Sequence, residues 1–267
     1  MFLTKFYQRL KSAIVWRQQN LHAKVLRYWL LHLKSQPISV SQKRAIVFAP
    51  HPDDETLGCG GMIALKRQQG VEVWVVFLTD GQDSQFNHVR IKTIAELVQI
   101  RQHEALAALD TLGVQASEIR FLDLPDGSLP NLPEAKRQQV VNQLIDLLEA
   151  SNAQEVYVTY RKDIHPDHQE AYELVRSAVL QSQRELELIQ YPVWANWRPQ
   201  QIDFQAEEVE NVYRLSIAET RDKKMQALDA YRSQYLPLAP GAKPPLPPGF
   251  IKWFSSPYEI FFKAPEQ

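Results

Sequence analysis

The chain reads as an α/β protein, a mostly parallel sheet sandwiched by helices and preceded by a basic amphipathic helix. From residue 44 onward, short apolar runs alternate with helix-length amphipathic segments, the pattern of parallel strands joined by helical crossovers. Of the 267 residues, 45% are hydrophobic and 23% charged, as in an ordinary globular domain and unlike a collagenous, disordered or disulfide-stapled chain. Charge gives the third observation: the first 52 residues hold nine Lys and Arg and no acid, so the remaining 21 of the 30 basic residues stand against all 31 acids. A cationic head precedes an acidic body.

Residues 2–34 lack Pro and Gly. Their apolar positions Phe2, Phe6, Leu10, Ala13, Ile14, Leu21, Val25, Tyr28 and Trp29 fall largely at three- and four-residue spacings, a helical period. Lys and Arg fill the gaps, and Trp16, Tyr28 and Trp29 add amphipathic rings. Such a helix packs on the domain or on another subunit, or it lies on an anionic membrane surface. A cleaved targeting peptide is disfavoured because Arg17, Lys24 and Arg27 interrupt the apolar run that a signal sequence needs. No run approaches the about 20 apolar residues that span a bilayer. Residues 35–43 read as a linker, which divides the chain into an N-terminal segment, 1–43, and a single α/β domain, 44–267.

Within that domain Ala45–Ala49 is a strand ended by Pro50, and Val71–Leu78 is a second, rich in β-branched residues. Between them Met62–Gln69 is helical and Gly70 is its stop. Residues 88–112 read as a helix ended by Gly113, Ile119–Leu124 as a strand, 133–150 as an amphipathic helix and Glu155–Tyr160 as a strand. Further strands are expected at 186–191, 210–217 and 258–263, with a helix over 218–233. Residues 236–250 hold six of the 17 prolines, a density that no helix or central strand survives. Because a strand follows, this stretch is expected to be a tethered lid or binding loop. The single cysteine, Cys59, cannot form an internal disulfide, so a reducing compartment is expected; it reads as a small buried helix residue.

Two clusters carry chemistry. His51-Pro52-Asp53-Asp54-Glu55 follows the first strand, and Arg161-Lys162-Asp163-Ile164-His165-Pro166-Asp167-His168 follows the Glu155–Tyr160 strand. The carboxyl ends of parallel strands share one sheet edge, where ligand sites collect, so the clusters are expected to converge. Zinc takes imidazole nitrogen and carboxylate oxygen at about 2.0–2.2 Å, and a catalytic zinc keeps about three protein ligands plus water; these clusters offer more than enough. His22, His32, His88 and His103 read as surface residues. The glycines at 58, 60 and 61 fit neither dinucleotide-binding nor P-loop spacing, and no nucleic acid partner is expected.

Taken in order, His51-Pro52-Asp53-Asp54-Glu55 with Gly58 and Gly60-Gly61, Thr79-Asp80-Gly81, Arg101-Gln102-His103-Glu104, Leu124-Pro125-Asp126-Gly127 and His165-Pro166-Asp167-His168 resemble the motifs of the PIG-L or LmbE-like family of zinc-dependent N-deacetylases. Glu219–Leu228, continuing to Tyr231-Arg232-Ser233-Gln234, is similar to that family's C-terminal helix. The resemblance covers roughly residues 44–235 and leaves out the basic helix and the proline loop.

The resemblance implies a Rossmann-like fold that hydrolyses the acetamide of an N-acetylglucosamine-type sugar or glycoconjugate. Carried over by motif, His51, Asp54 and His168 are the metal ligands, Asp53 is the general base, His165 is the acid that also steadies the oxyanion, and Arg101 and Asp126 bind sugar hydroxyls. Which of Asp53 and Asp54 binds metal rests on the family, and for Arg101 an ion pair with Glu104 is the structural alternative. The implied cofactor is Zn2+, with Fe2+ as another divalent choice. The expected partner is an N-acetylated sugar, with anionic membrane contact through residues 1–34 and a homo-oligomer left open, and the expected location is cytoplasmic, at the inner face of the membrane. Rival readings are an amidase acting on another acyl amide, such as a thiol conjugate, and a non-catalytic sugar-binding protein on the same fold.

Overall fold

The computed structural model describes residue 15 and residues 17–82, 93–237 and 243–263. Its strands are β1 (Gln36–Ile38), β2 (Ala45–Ala49), β3 (Val73–Thr79), β4 (Ile119–Leu124), β5 (Glu155–Thr159), β6 (Glu187–Tyr191), β7 (Val212–Ser216) and β8 (Tyr258–Lys263). They form one sheet in the order β1-β7-β8-β6-β5-β2-β3-β4. Only β8 runs antiparallel, between β6 and β7, so the expected mostly parallel sheet is present. The longer helices are α1 (17–28), α2 (Asp54–Gln68), α3 (Ile94–Leu112), α4 (Glu134–Ser151) and α5 (Pro166–Gln181). Shorter ones follow: α6 (Trp194–Trp197), α7 (Ala206–Glu210), α8 (Arg221–Leu228), α9 (Arg232–Tyr235) and α10 (Phe250–Trp253).

Every residue of β2 and β5 is buried, because side chains that alternate across a central strand meet helices on both faces. Ala45, Val47 and Ala49 enter a core shared with Ile63 of α2, Leu109 of α3 and Leu228 of α8. Ile46 and Phe48 enter the opposite core with Leu144 of α4 and Val175 of α5. These two cores clamp the strands whose ends carry the His/Asp clusters.

Three expectations change. Helix α2 starts at Asp54 rather than Met62: Gly58 weakens helix propensity locally, yet a Cβ there would lie 2.1 Å from Cδ2 of Tyr191, so close packing on the sheet requires glycine. The 218–233 helix is broken at 229–231 into α8 and α9. Residues 35–43 are not a free linker. Gln36–Ile38 pairs in parallel with β7, and Lys66 Nζ donates to the Ser41 and Lys43 carbonyls. The helix expected from residue 88 is described from Ile94; its start, His88, residues 1–14, Trp16 and loop residues 238–242 lie outside the described residues. Helix α1 passes into a π-helical turn, Trp29–Lys34, whose Leu30 and Leu31 are buried against Tyr160, Val212 and Phe262. No helix among the described residues is long and apolar enough to cross a membrane.

Candidate active site

Strands β2 and β5 are neighbours, yet the chain leaves β2 for β3 and β4 on one side before returning to β5 on the other. The strand order reverses at this point, and the loops diverge to leave a crevice at the carboxyl edge. His51 to Asp54 enter it from the end of β2 and Asp163 to His168 from the end of β5.

Three donor atoms converge there. Asp54 Oδ2 lies 3.2 Å from both His51 Nδ1 and His168 Nε2. The other ring nitrogen of each imidazole faces a carboxylate: His168 Nδ1 donates to Asp163 Oδ2 at 2.8 Å, and His51 Nε2 is 2.9 Å from Asp126 Oδ1 and 3.2 Å from Asp167 Oδ2. His168 Nε2 is fully buried and makes no hydrogen bond. An orphaned buried nitrogen aimed at a carboxylate and a second imidazole, with carboxylates orienting both rings, is the donor set that a divalent cation requires. The residues present fit a metal. Ring nitrogens of His51, His165 and His168 also lie within 4.8 Å of one another, as do donors of His51, Asp126 and Asp167.

Burial of His168 disfavours its charged form, but the Asp54 and Asp163 carboxylates outweigh that and lift its pKa to about 9. His51 is likewise lifted, burial being overcome by Asp126, Asp167 and Asp54. Burial would raise Asp54, yet the two imidazoles hold it well below the usual carboxylate range. A cation bound here would compete with the imidazole protons.

Asp53 precedes α2 with φ of 131°, a conformation that costs a non-glycine residue about 1–3 kcal/mol. Glu55 Oε2 stabilises it by accepting the Asp53 N–H at 3.1 Å. Asp53 Oδ1 faces Nη2 of Arg101 at 3.6 Å. Burial pushes the Asp53 carboxyl up to about 8 against the pull of that guanidinium. Arg101 reaches in from α3, where Nη1 donates to Gly81 O at 3.0 Å and Nη2 to Pro52 O at 2.6 Å. Gly81 has φ of +68°, and a Cβ there would sit 2.5 Å from Nη1, so the Thr79-Asp80-Gly81 turn needs its glycine for this approach. His165 caps α5 by accepting the Asp167 N–H on Nδ1 at 3.2 Å; burial, then the charges of His51 and His168, push its pKa down to about 4.

These groups line a cavity of about 220 Å³ whose far wall includes Trp194, Gln234, Leu246 and Phe250. It is smaller than the roughly 300–1,000 Å³ of a site for drug-sized ligands.

The order and spacing of these groups agree with a comparison of sequences: residues 46–179 match PIG-L, described as GlcNAc-PI de-N-acetylase. The chain belongs to the PIG-L family. Over 194 residues it is 26% identical to the probable N-acetyl-alpha-D-glucosaminyl L-malate deacetylase 2 of Bacillus subtilis (strain 168), covering 72% of this chain and 84% of that one. Over 158 residues it is 30% identical to the 1D-myo-inositol 2-acetamido-2-deoxy-alpha-D-glucopyranoside deacetylase of Mycobacterium sp. (strain KMS), covering 52% and 51%. Among solved structures, N,N'-diacetylchitobiose deacetylase from Pyrococcus horikoshii superposes with a TM-score of 0.62 at 23% identity over 84% of each chain. GalB, the 4-carboxy-2-hydroxymuconate hydratase of Pseudomonas putida KT2440, does so with 0.63 at 22% identity over 80% and 83%. Those two likenesses show the fold alone, and a hydratase among them means that the chemistry must be argued from the site.

The PIG-L motifs meet as expected: His51, Asp53, Asp54, Arg101, Asp126 and His165 line one cavity, with His168 buried beneath. The alternative pairing of Arg101 with Glu104 is not made; Glu104 instead accepts from the backbone and hydroxyl of Ser233. Cys59 is buried in the core, and His22, His32 and His103 are exposed. The sequence reading assigned no role to Asp163 or Asp167, although both stand in the quoted cluster. Asp163 accepts His168 Nδ1, and Asp167 accepts the backbone N–H groups of Gly127 and Leu129 at 2.7 and 3.2 Å, fixing the loop that carries Asp126. Trp194 and Phe250 carried no sequence signal, since a cavity wall asks only for bulk.

Proposed function

We propose that this PIG-L protein is a metal-dependent hydrolase that removes the N-acetyl group from an N-acetylglucosamine-type sugar or glycoconjugate. The observation that carries the proposal is the convergence of His51 Nδ1, Asp54 Oδ2 and His168 Nε2 beneath a cavity that also presents Asp53 and His165. We assign those three atoms as ligands, as the PIG-L motifs imply, because Asp54 Oδ2 lies 3.2 Å from both imidazole nitrogens. The donor set suits zinc, with Fe2+ as the other divalent choice.

When bound, the cation supplies polarisation of the amide carbonyl and a water of lowered pKa. Asp53 accepts the proton of the attacking water and returns it to the leaving amine. For His165 we assign a role other than the expected acid. Its Nδ1 accepts a backbone N–H, so the ring proton sits on Nε2, and protonating Nδ1 would break the cap. His165 therefore acts as a neutral donor to the oxyanion, worth roughly 10²–10³ in rate. Arg101, with its Nε buried and unpaired, and Asp126 hold sugar hydroxyls. The location belongs to the same proposal: cytoplasmic and peripheral to the inner face of a membrane through residues 1–34.

Acetate release from N-acetylated sugars tests the reading. Activity should vanish on chelation and return with zinc. Acetate release indifferent to chelation would overturn the metal role, and no release from any N-acetylhexosamine would overturn the substrate class.

A further inference from the structure

Outside the catalytic cavity, a groove of about 620 Å³ runs between α1 and residues 249–258. It continues into a smaller one of about 330 Å³ that shares Lys24, Gly249 and Trp253 with it. Among the described residues, Arg17, Lys24, Arg27 and Lys252 line the two, and no acidic residue lines either. A cleft lined by charge of one sign concentrates ligands of the other.

Two arginines at this place lack, among the described residues, the carboxylate that partly buried arginines normally find. Arg27 donates from Nε to the Asn196 side-chain carbonyl at 3.0 Å and lies over the Trp253 ring; burial, with no carboxylate opposing it, draws its pKa down to about 10. Arg198 stacks 3.8 Å over Trp197 and donates to the Asn20 side-chain carbonyl at 2.8 Å. Neutral amide partners leave the charge of both guanidinium groups uncompensated. Beside these cations, Leu21, Val25 and Tyr28 are 64, 59 and 61% exposed at i, i+4 and i+7 of α1, one helical face. Apolar side chains interleaved with cations and rimmed by aromatic rings suit the boundary of an anionic bilayer.

The groove is joined to the catalytic cavity by a common wall. Gly249 and Trp253 face the groove, whereas Leu246 and Phe250 face the cavity. Phe250 is in ring contact with Trp194 of the cavity wall at 4.9 Å and with Trp197 at 5.3 Å.

We propose that the groove between α1 and residues 248–258 takes the headgroup of an anionic phospholipid and docks the protein on an anionic bilayer with the catalytic cavity beside the surface. This rests on the location given above and names its contact: helix and loop together, not the helix alone.

The test is co-sedimentation of the full chain with vesicles of phosphatidylcholine alone or with phosphatidylglycerol, at low and high salt. The expected result is binding to the phosphatidylglycerol vesicles only, weakened by salt, and weakened roughly tenfold or more in Lys24→Glu/Lys252→Glu. Leu21→Asn/Tyr28→Ser should weaken it separately, and thermal melts establish that each variant is folded. Equal binding to neutral vesicles, no binding, or unchanged binding by folded charge-reversed protein would each overturn the proposal. So would binding of glycerol 3-phosphate in solution without vesicle binding, which gives the groove to a soluble anion, or a dimer in sedimentation equilibrium that Leu21→Asn/Tyr28→Ser dissolves. Acetate release by the unaltered chain from a soluble N-acetylated sugar, measured without vesicles, reports the hydrolase independently, so either reading can fail alone.

Discussion

His168 donates its Nδ1–H to Asp163 Oδ2 at 2.8 Å, and the same carboxylate accepts the backbone N–H groups of Val193, Trp194 and Ala195. One buried side chain thus ties an imidazole of the proposed metal site to the turn after β6 and to the Trp194 wall of the cavity. Asp163→Asn keeps the shape but withdraws the charge that orients the ring. Metal affinity should fall about 10–100-fold, read by competition with a chromophoric chelator. An unchanged affinity would mean that His168 needs no such support.

The neighbouring carboxylates should separate cleanly. Asp54→Ala should lose metal, whereas Asp53→Asn should keep it and lower kcat by about 10²–10⁴ through loss of the base. Metal content and steady-state kinetics on the same preparations decide it. Exchanged phenotypes would reverse the assignment within the pair.

His165→Ala should retain metal and lose about 10²–10³ in kcat. With a pKa of about 4, His165 is neutral above that value and gains charge only as pH falls. Its titration therefore belongs to the acid side of the pH–rate profile, and the alkaline limb should survive the substitution. Disappearance of the alkaline limb would restore His165 as the proton donor.

Acid stability should report on Glu208. Burial would raise its pKa, but Lys162, the Gln205 backbone N–H, Tyr160 and Arg161 together hold it below the ordinary value. A carboxylate depressed in the folded state stabilises above its unfolded pKa of about 4.3, and that stability is lost as pH falls through the folded value. Glu208→Gln should lower stability at pH 7 and flatten the loss below about pH 4.3, measured by denaturant unfolding across that range. Because Glu208 anchors Arg161 and Lys162, just before Asp163, the variant should also loosen the β5 loop.

Much of this protein could be read before folding. The fully apolar run of β2 announces a central parallel strand because such a strand meets helices on both faces, and Val156-Tyr157-Val158 marks β5 as another strand. His/Asp clusters directly after two of those strands announce a shared edge, since strand ends in a parallel sheet point one way. The motifs carried the family, and with it the expected ligands and base.

What the linear chain could not decide was set by contacts distant in sequence. Gly58 to Gly61 look like a helix breaker until Tyr191 presses on Gly58; tertiary packing overrode local propensity. Gln36–Ile38 has no strand pattern of its own and becomes one because β7 offers an open edge. Arg101 faced a choice between Glu104 on its own helix and the carbonyls of Gly81 and Pro52, and burial against those carbonyls won. For His165 the residue type leaves the tautomer open, and the Asp167 N–H donated to its Nδ1 sets it. Residue type and order thus determined which chemistry is available, while the tautomer, the proton affinity and the walls depend on low-dielectric contacts that exist only when the sheet has brought its two halves together.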